Sequence, residues 1–139
     1  TVVSPSYEEV SAGRTGHAES VEVVYDPAKV SYQTLLDAFW LNVDPVAQNA
    51  QFCDHGSQYR SAIFFQTDEE KRASDSSKKA IEQSERFKEP IATQIVMASQ
   101  FYLAEDYHQD FYKKNPIRYK FYKYNCGRAQ RLEEVWGKP

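Results

Sequence analysis

Tyr59-Arg60-Ser61-Ala62-Ile63-Phe64-Phe65 reads as a β-strand, with aliphatic and aromatic residues following a polar start. Directly after it, Thr67 and Glu70 have the spacing of a capping box, which opens a long charged helix running to about Lys88. Its mixture of Lys, Glu, Asp and Ser describes a solvated face with no chemistry, and Pro90 stops it. Ala92 to Ala98 is then a further strand, with Ile95 and Met97 as expected core residues. Strand, helix, strand in that order predicts an α/β layer architecture.

Outward toward the start, Ser20 to Tyr25 alternates faces, with Val21, Val23 and Tyr25 on one side, and ends at Asp26-Pro27. This is expected to be the earlier strand. Ser31 can cap a helix whose apolar face is Tyr32, Leu35, Leu36, Phe39 and Trp40, which is ordinary core packing. Ser4-Pro5-Ser6 favours a short helix from Tyr7 to Ser11. Asn42 to Ser57 reads as one irregular polar loop, and a loop of that length is more often functional than incidental. Toward the other end, Leu103 to Lys114 is expected to be helical, closed by Asn115-Pro116. The aromatic and basic tail from Tyr119 to Tyr124 leads through Asn125-Cys126-Gly127-Arg128 to a short helix ending at Trp136. The whole predicts a single domain over residues 1–139, a two-layer α/β (α+β) sandwich with a mixed sheet covered by helices.

At 139 residues the chain is long enough to bury a core without staples. A formal charge of −3 and a pI near 5.6 argue against nucleic acid as a partner. No apolar run approaches membrane-spanning length and no secretory segment is visible. Cys53 and Cys126 are the two cysteines; they form no Cys-x-x-Cys pair and no disulfide framework, which suits a reducing, cytoplasmic compartment. The chain opens on Thr1 rather than Met, so a processed or truncated product is expected.

Two stretches carry chemistry. In Gly13-Arg14-Thr15-Gly16-His17-Ala18-Glu19, the glycines permit a tight turn and Glu19 stands alone at a strand entrance. Partial burial there raises a carboxyl pKa, so the group can keep a proton near neutral pH and donate it. The bland alternative is a solvated loop glutamate. The second stretch, Gln51-Phe52-Cys53-Asp54-His55-Gly56-Ser57-Gln58-Tyr59, gathers a thiol, a carboxylate, an imidazole and a phenol. Three readings stand there. A metal site would use His17, His55, His108 and Cys53, although no pair of them has a recognised ligand spacing. Cys53 could be a nucleophile with His55 as base, or the loop could simply brace the following strand.

Both stretches, with Val24-Tyr25-Asp26-Pro27, Phe39-Trp40, Ala104-Glu105-Asp106-Tyr107-His108-Gln109 and Lys114-Asn115-Pro116, resemble type A peptide methionine sulfoxide reductases over nearly the whole chain. The resemblance implies a ferredoxin-like plait with a long irregular C-terminal tail. It implies reduction of the S epimer of methionine sulfoxide, free or in oxidised proteins, without cofactor or metal, by a monomer. In that chemistry a cysteine thiolate attacks the sulfoxide sulfur, an acid protonates the oxygen, and a second thiol resolves the resulting sulfenic acid. Thioredoxin or another thiol then supplies the reducing equivalents. By matching motif, Glu19 would be the proton donor, Tyr7 and Tyr59 would hydrogen-bond the sulfoxide oxygen, and Asp54 would belong to the supporting polar network. Cys126 and Cys53 would be candidates for the resolving thiol. The nucleophile of the resemblance lies in Gly-Cys-Phe-Trp, and that motif is not in these residues. The first strand and helix of the family fold are accordingly expected to be missing. The alternatives are an inactive fragment or binding module that holds methionine sulfoxide, and a metal-dependent hydrolase built on the three histidines.

Overall fold

The computed structural model describes residues 4–11, 16–105 and 109–137. The first three helices start where side-chain oxygens satisfy the first orphan amides. Helix α1 is Tyr7–Ser11, and the Ser6 hydroxyl accepts from the Glu9 amide at 3.2 Å. Helix α2 is Tyr32–Leu41, capped by Ser31, whose hydroxyl accepts from the Thr34 amide at 3.1 Å. Helix α3 is Asp68–Gln83, and the Thr67 hydroxyl accepts from the Glu70 amide at 3.1 Å. The reciprocal arm of that box reaches one residue further back than usual, because Glu70 Oε1 accepts from the Gln66 amide at 2.8 Å. Helix α3 stops five residues short of Lys88. Glu85 adopts a left-handed φ of 56°, and Arg86 turns away to donate to the Val135 carbonyl at 2.7 Å.

Among the described residues, four short strands form two sheets. Strands β1 (Ala50–Gln51) and β2 (Asp54–His55) make an antiparallel hairpin inside the stretch expected to be one irregular loop. Strands β3 (Ala62–Phe65) and β4 (Gln94–Met97) are parallel and in register from Ala62↔Gln94 to Phe65↔Met97. Helix α3 makes the crossover between them, as parallel pairing requires. The described architecture is therefore mixed α/β, with small sheets rather than one continuous mixed sheet.

Leu36, Trp40 and Ile63 form the buried centre, with Tyr32, Phe39, Val43, Ala73, Ile81, Ile91, Ile95 and Trp136 packed around them. Buried polar groups in this layer are paired: Tyr32 Oη meets Ser74 Oγ at 2.9 Å, and Ser61 Oγ meets Thr93 Oγ1 at 2.7 Å.

Several other expectations fail. Ser20 to Tyr25 is not a strand: no described backbone pairs with it, and Val21 and Val24 are 87% and 91% exposed. Tyr25 is tethered, donating to Glu70 Oε2 at 3.4 Å and stacking on Tyr32. Met97, expected in the core, is 73% exposed, because it lies at the exposed end of strand β4. The helix expected from Leu103 is non-helical through Glu105, and Asp106 to His108 lie outside the described residues. Helices then follow as α4 (Phe111–Lys114), α5 (Pro116–Asn125) and α6 (Arg128–Trp136). Pro116 begins a helix instead of only ending one, which its missing N–H permits at the first position. The long irregular tail of the expected plait is thus mostly helical.

Candidate active site

The 3-10 turn Ser57–Tyr59, just before β3, is the hub of the site. Gly56 enters it at φ 142° and ψ 158°, a region essentially confined to glycine, and a Cβ there would collide with the Gln58 side chain. The Gly56 amide donates to the Asn49 carbonyl at 2.7 Å, and the Tyr59 amide donates to Gly56 at 3.0 Å. Gly56→Ala is expected to destabilise the fold by about 1–3 kcal/mol through this strain, read as a lower urea midpoint.

Glu19 is fastened to this hub by its own amide, which donates to the Gln58 carbonyl at 2.8 Å. Arg60 joins the turn to the segment that leads into Glu19, with Nη1 donating to the Ser57 carbonyl at 2.7 Å and Nη2 to the Gly16 carbonyl at 3.4 Å. His17 sits edge-on to Tyr102, with ring centroids 5.3 Å apart. Residues 12–15, which hold the first half of the glycine stretch, lie outside the described residues.

Electrostatics bind four predicted residues into one group. Partial burial, and then the Asp54 carboxylate, push the Glu19 carboxyl above the ordinary glutamate value of 4.5. The residue is exposed, so solvent screens its interactions. Burial also raises the Tyr59 phenol, reinforced by Glu19, Asp54 and Tyr7. Tyr59 is therefore within electrostatic reach of Glu19, Asp54 and Tyr7, and Glu19 within reach of Asp54, and both Glu19 and Tyr59 are biased toward their protonated forms. The stability consequence has a definite sign. Between 4.5 and the raised value the folded chain binds more protons at Glu19 than the unfolded chain. Glu19's contribution is complete below its unfolded pKa and is lost as pH rises through the folded one. Urea unfolding across that window should show this downward slope, and Glu19→Gln should remove it.

Tyr7 reaches the site through a contact that sequence reasoning did not foresee. Its amide donates to Glu105 Oε1 at 3.0 Å across 98 residues, which anchors the start of α1. No local spacing signals such a pairing. The cysteines were also misread. Cys53, at the hairpin tip, and Cys126, at the α5–α6 junction, form a disulfide with Cα atoms 5.1 Å apart. Neither is a free nucleophile in this state, which sets aside the Cys53–His55 pair. Among the described residues no group of three His, Cys, Asp or Glu could hold a metal ion, and His108 lies outside them.

The arrangement suits polarisation of a neutral X=O group by protonated donors. A family model described as peptide methionine sulfoxide reductase matches residues 1–139. Peptide methionine sulfoxide reductase MsrA of Bacillus subtilis is 46% identical over 134 residues, covering 96% of this chain and 76% of its own length. The Bacillus licheniformis protein of the same name is 44% identical over 135 residues, covering 97% of this chain and 75% of its own. Among solved structures, reduced Mxr1 from Saccharomyces cerevisiae superposes with a TM-score of 0.75 at 36% identity, over 81% of this chain and 61% of that one. Methionine sulfoxide reductase A of Corynebacterium diphtheriae gives 0.68 at 33% identity, over 81% and 58%. The chain thus spans about three quarters of these curated relatives, and less than two thirds of the solved chains.

Proposed function

Because the chain belongs to the peptide methionine sulfoxide reductase family, we propose that Glu19, Tyr7, Tyr59 and Asp54 form the sulfoxide-activating half of its active site. The observation that carries this reading is the raised Glu19 carboxyl beside Asp54 and a protonated Tyr59. The Tyr7 and Tyr59 phenols donate hydrogen bonds to the sulfoxide oxygen, and Glu19 adds its proton there. A thiolate attacks the sulfur now made electrophilic. Methionine leaves, and the oxygen ends on the attacking sulfur as a sulfenic acid. Protonated donors suit this step because they draw charge onto oxygen without setting an anion in the path of the thiolate. Asp54 acts on Glu19, keeping its proton in place.

The attacking thiol is not among these residues, since none of them forms Gly-Cys-Phe-Trp. It belongs to the first strand and helix of the expected plait, packed as one domain with residues 1–139. The S epimer of methionine sulfoxide, free or in oxidised proteins, is the substrate. Thioredoxin or another dithiol returns the reducing equivalents, with no metal or organic cofactor. A resolving role for Cys126 or Cys53 requires their dithiol form, which a reducing cytoplasm maintains. No helix among the described residues is long and apolar enough to cross a membrane. Titration of the chain with the resolved S and R epimers of a blocked methionine sulfoxide tests the reading. Saturable binding of the S epimer, weakened by Tyr59→Phe, is expected; equal or absent binding of both epimers contradicts it.

A further inference from the structure

The segment that carries Glu19 meets the 3-10 turn at two points. At one, the Glu19 amide donates to the Gln58 carbonyl at 2.8 Å. At the other, the Arg60 guanidinium bridges the Gly16 carbonyl at 3.4 Å and the Ser57 carbonyl at 2.7 Å. One hydrogen bond fixes a place but leaves the chain free to pivot about it. A second, upstream on the segment and on the same turn, sets the direction of approach, and with it the direction of the Glu19 Cα–Cβ bond. Gly16 has a left-handed φ of 78°, so the chain bends where Arg60 holds it. His17 also meets Tyr102 edge-on, with centroids 5.3 Å apart, but that contact ties the segment to the chain after β4 and not to the turn.

Arg60 suits a bridge of this kind. Its Nε donates to Gln94 Oε1 at 3.3 Å, so three nitrogens of one rigid plane reach three separate parts of the chain. All three acceptors are neutral, and among the described residues no carboxylate forms an ion pair with Arg60. The backbone beneath it is fixed. The Arg60 amide donates to the Ser57 carbonyl at 3.3 Å, the Gln94 amide donates to the Ser61 carbonyl at 3.1 Å, and Ser61 Oγ meets Thr93 Oγ1 in a buried pair.

We propose that Arg60 is a positioning residue for Glu19: its planar fork, rather than its charge, sets the angle at which the Gly16–Glu19 segment crosses the turn beside Tyr59. This deepens the sulfoxide-activating reading and rests on it only for naming Glu19 the acid. Arg60 acts through the backbone of the segment, by holding the Gly16 carbonyl at a set spacing from the Ser57 carbonyl. A lysine at this position keeps the charge, but its rotating ammonium has no plane with which to fix that spacing.

The test compares the 139-residue chain with Arg60→Lys and Arg60→Ala. Three signals are followed by NMR: the Glu19 carboxyl titration, exchange of the Glu19 amide bonded to Gln58, and the Ile63 methyls in the core. A segment free to pivot lets more water onto the carboxyl, so both variants should move the Glu19 midpoint down toward 4.5. Exchange of the Glu19 amide should quicken by about tenfold, the scale of one hydrogen bond from a charged donor. The Ile63 methyls should stay in place. A role for charge alone gives a different pattern: Arg60→Ala would raise the midpoint and Arg60→Lys would leave it unchanged, because a nearby cation favours the carboxylate. Either that pattern or an unchanged midpoint in both variants would overturn the proposal. So would displaced Ile63 methyls in both, which would make Arg60 a strut of the whole fold. None of these readouts involves a sulfoxide, so failure to bind one would count against the proposed function alone.

Discussion

Replacing Glu19 by Gln, in an enzyme that also carries the attacking thiol, should slow single-turnover release of methionine by about 10²–10⁴-fold, the usual contribution of a positioned general acid. The amide keeps the shape of the side chain and leaves its backbone donation to Gln58 untouched, so the turn that forms the site should persist. What it cannot do is lose a proton to the sulfoxide oxygen. Tyr59 and Tyr7 still donate hydrogen bonds, and they account for a residual rate above background. The pH dependence separates this from a packing defect. The wild-type rate of the reductive step should fall as pH rises through the raised Glu19 pKa, because only the protonated carboxyl is the acid. In Glu19→Gln that limb should be missing. An unchanged rate would place the proton on another group.

The second large effect is structural. Trp40→Ala should destabilise the chain by about 3–5 kcal/mol, a cost that combines lost apolar burial with a residual cavity. Trp40 is 5% exposed, meets Phe39 edge-on with centroids 5.2 Å apart, and lies in the cluster that joins α2 to β3 through Ile63. Its indole N–H donates to Ser77 Oγ at 3.0 Å. Ser77 also donates to the Ser74 carbonyl at 2.8 Å, so losing the indole does not leave that hydroxyl unpaired. Most of the cost is therefore volume, and Trp40→Phe should recover a substantial part of it. Because β3 runs directly out of the turn that holds Tyr59, Trp40→Ala should also loosen the site before the fold is lost. Denaturant unfolding of the three proteins measures the series; equal midpoints for Trp40→Ala and wild type would contradict this account of the core.

What could be read from the sequence was what local physics decides. Ser31 and Thr67 cap their helices because a hydroxyl meets an amide within one turn, and that spacing is visible in the chain. Tyr7–Ser11 was legible for a similar reason. Ile63 and Ile95 fall in paired strands because short apolar runs on either side of a capped helix have few other uses. Ser20 to Tyr25 has the alternation of a strand, but alternation cannot supply a partner, and no described backbone provides one. The hairpin at Ala50–His55 was hidden because Phe52-Cys53 is not a turn dipeptide; its bend depends on a positive φ at Phe52. Long-range pairings were least legible. Nothing in the spacing of Cys53 and Cys126 distinguishes a disulfide from two separate thiols, and nothing around Glu105 points to the Tyr7 amide. The grouping of Glu19 with Asp54, Tyr59 and Tyr7 came from the resemblance, and only the folded chain supplies its physical cause.

That cause can be measured without any catalytic turnover. The Glu19 carboxyl carbon, followed by NMR in the chain and in Asp54→Asn, reports directly on whether the site holds a proton ready. Burial and the Asp54 charge predict a midpoint above 4.5 in the wild-type chain, and a lower one in Asp54→Asn, where only the burial contribution remains. A wild-type midpoint at or below 4.5 would contradict the account, because Glu19 would then be an ordinary ionised surface carboxylate with no proton to give.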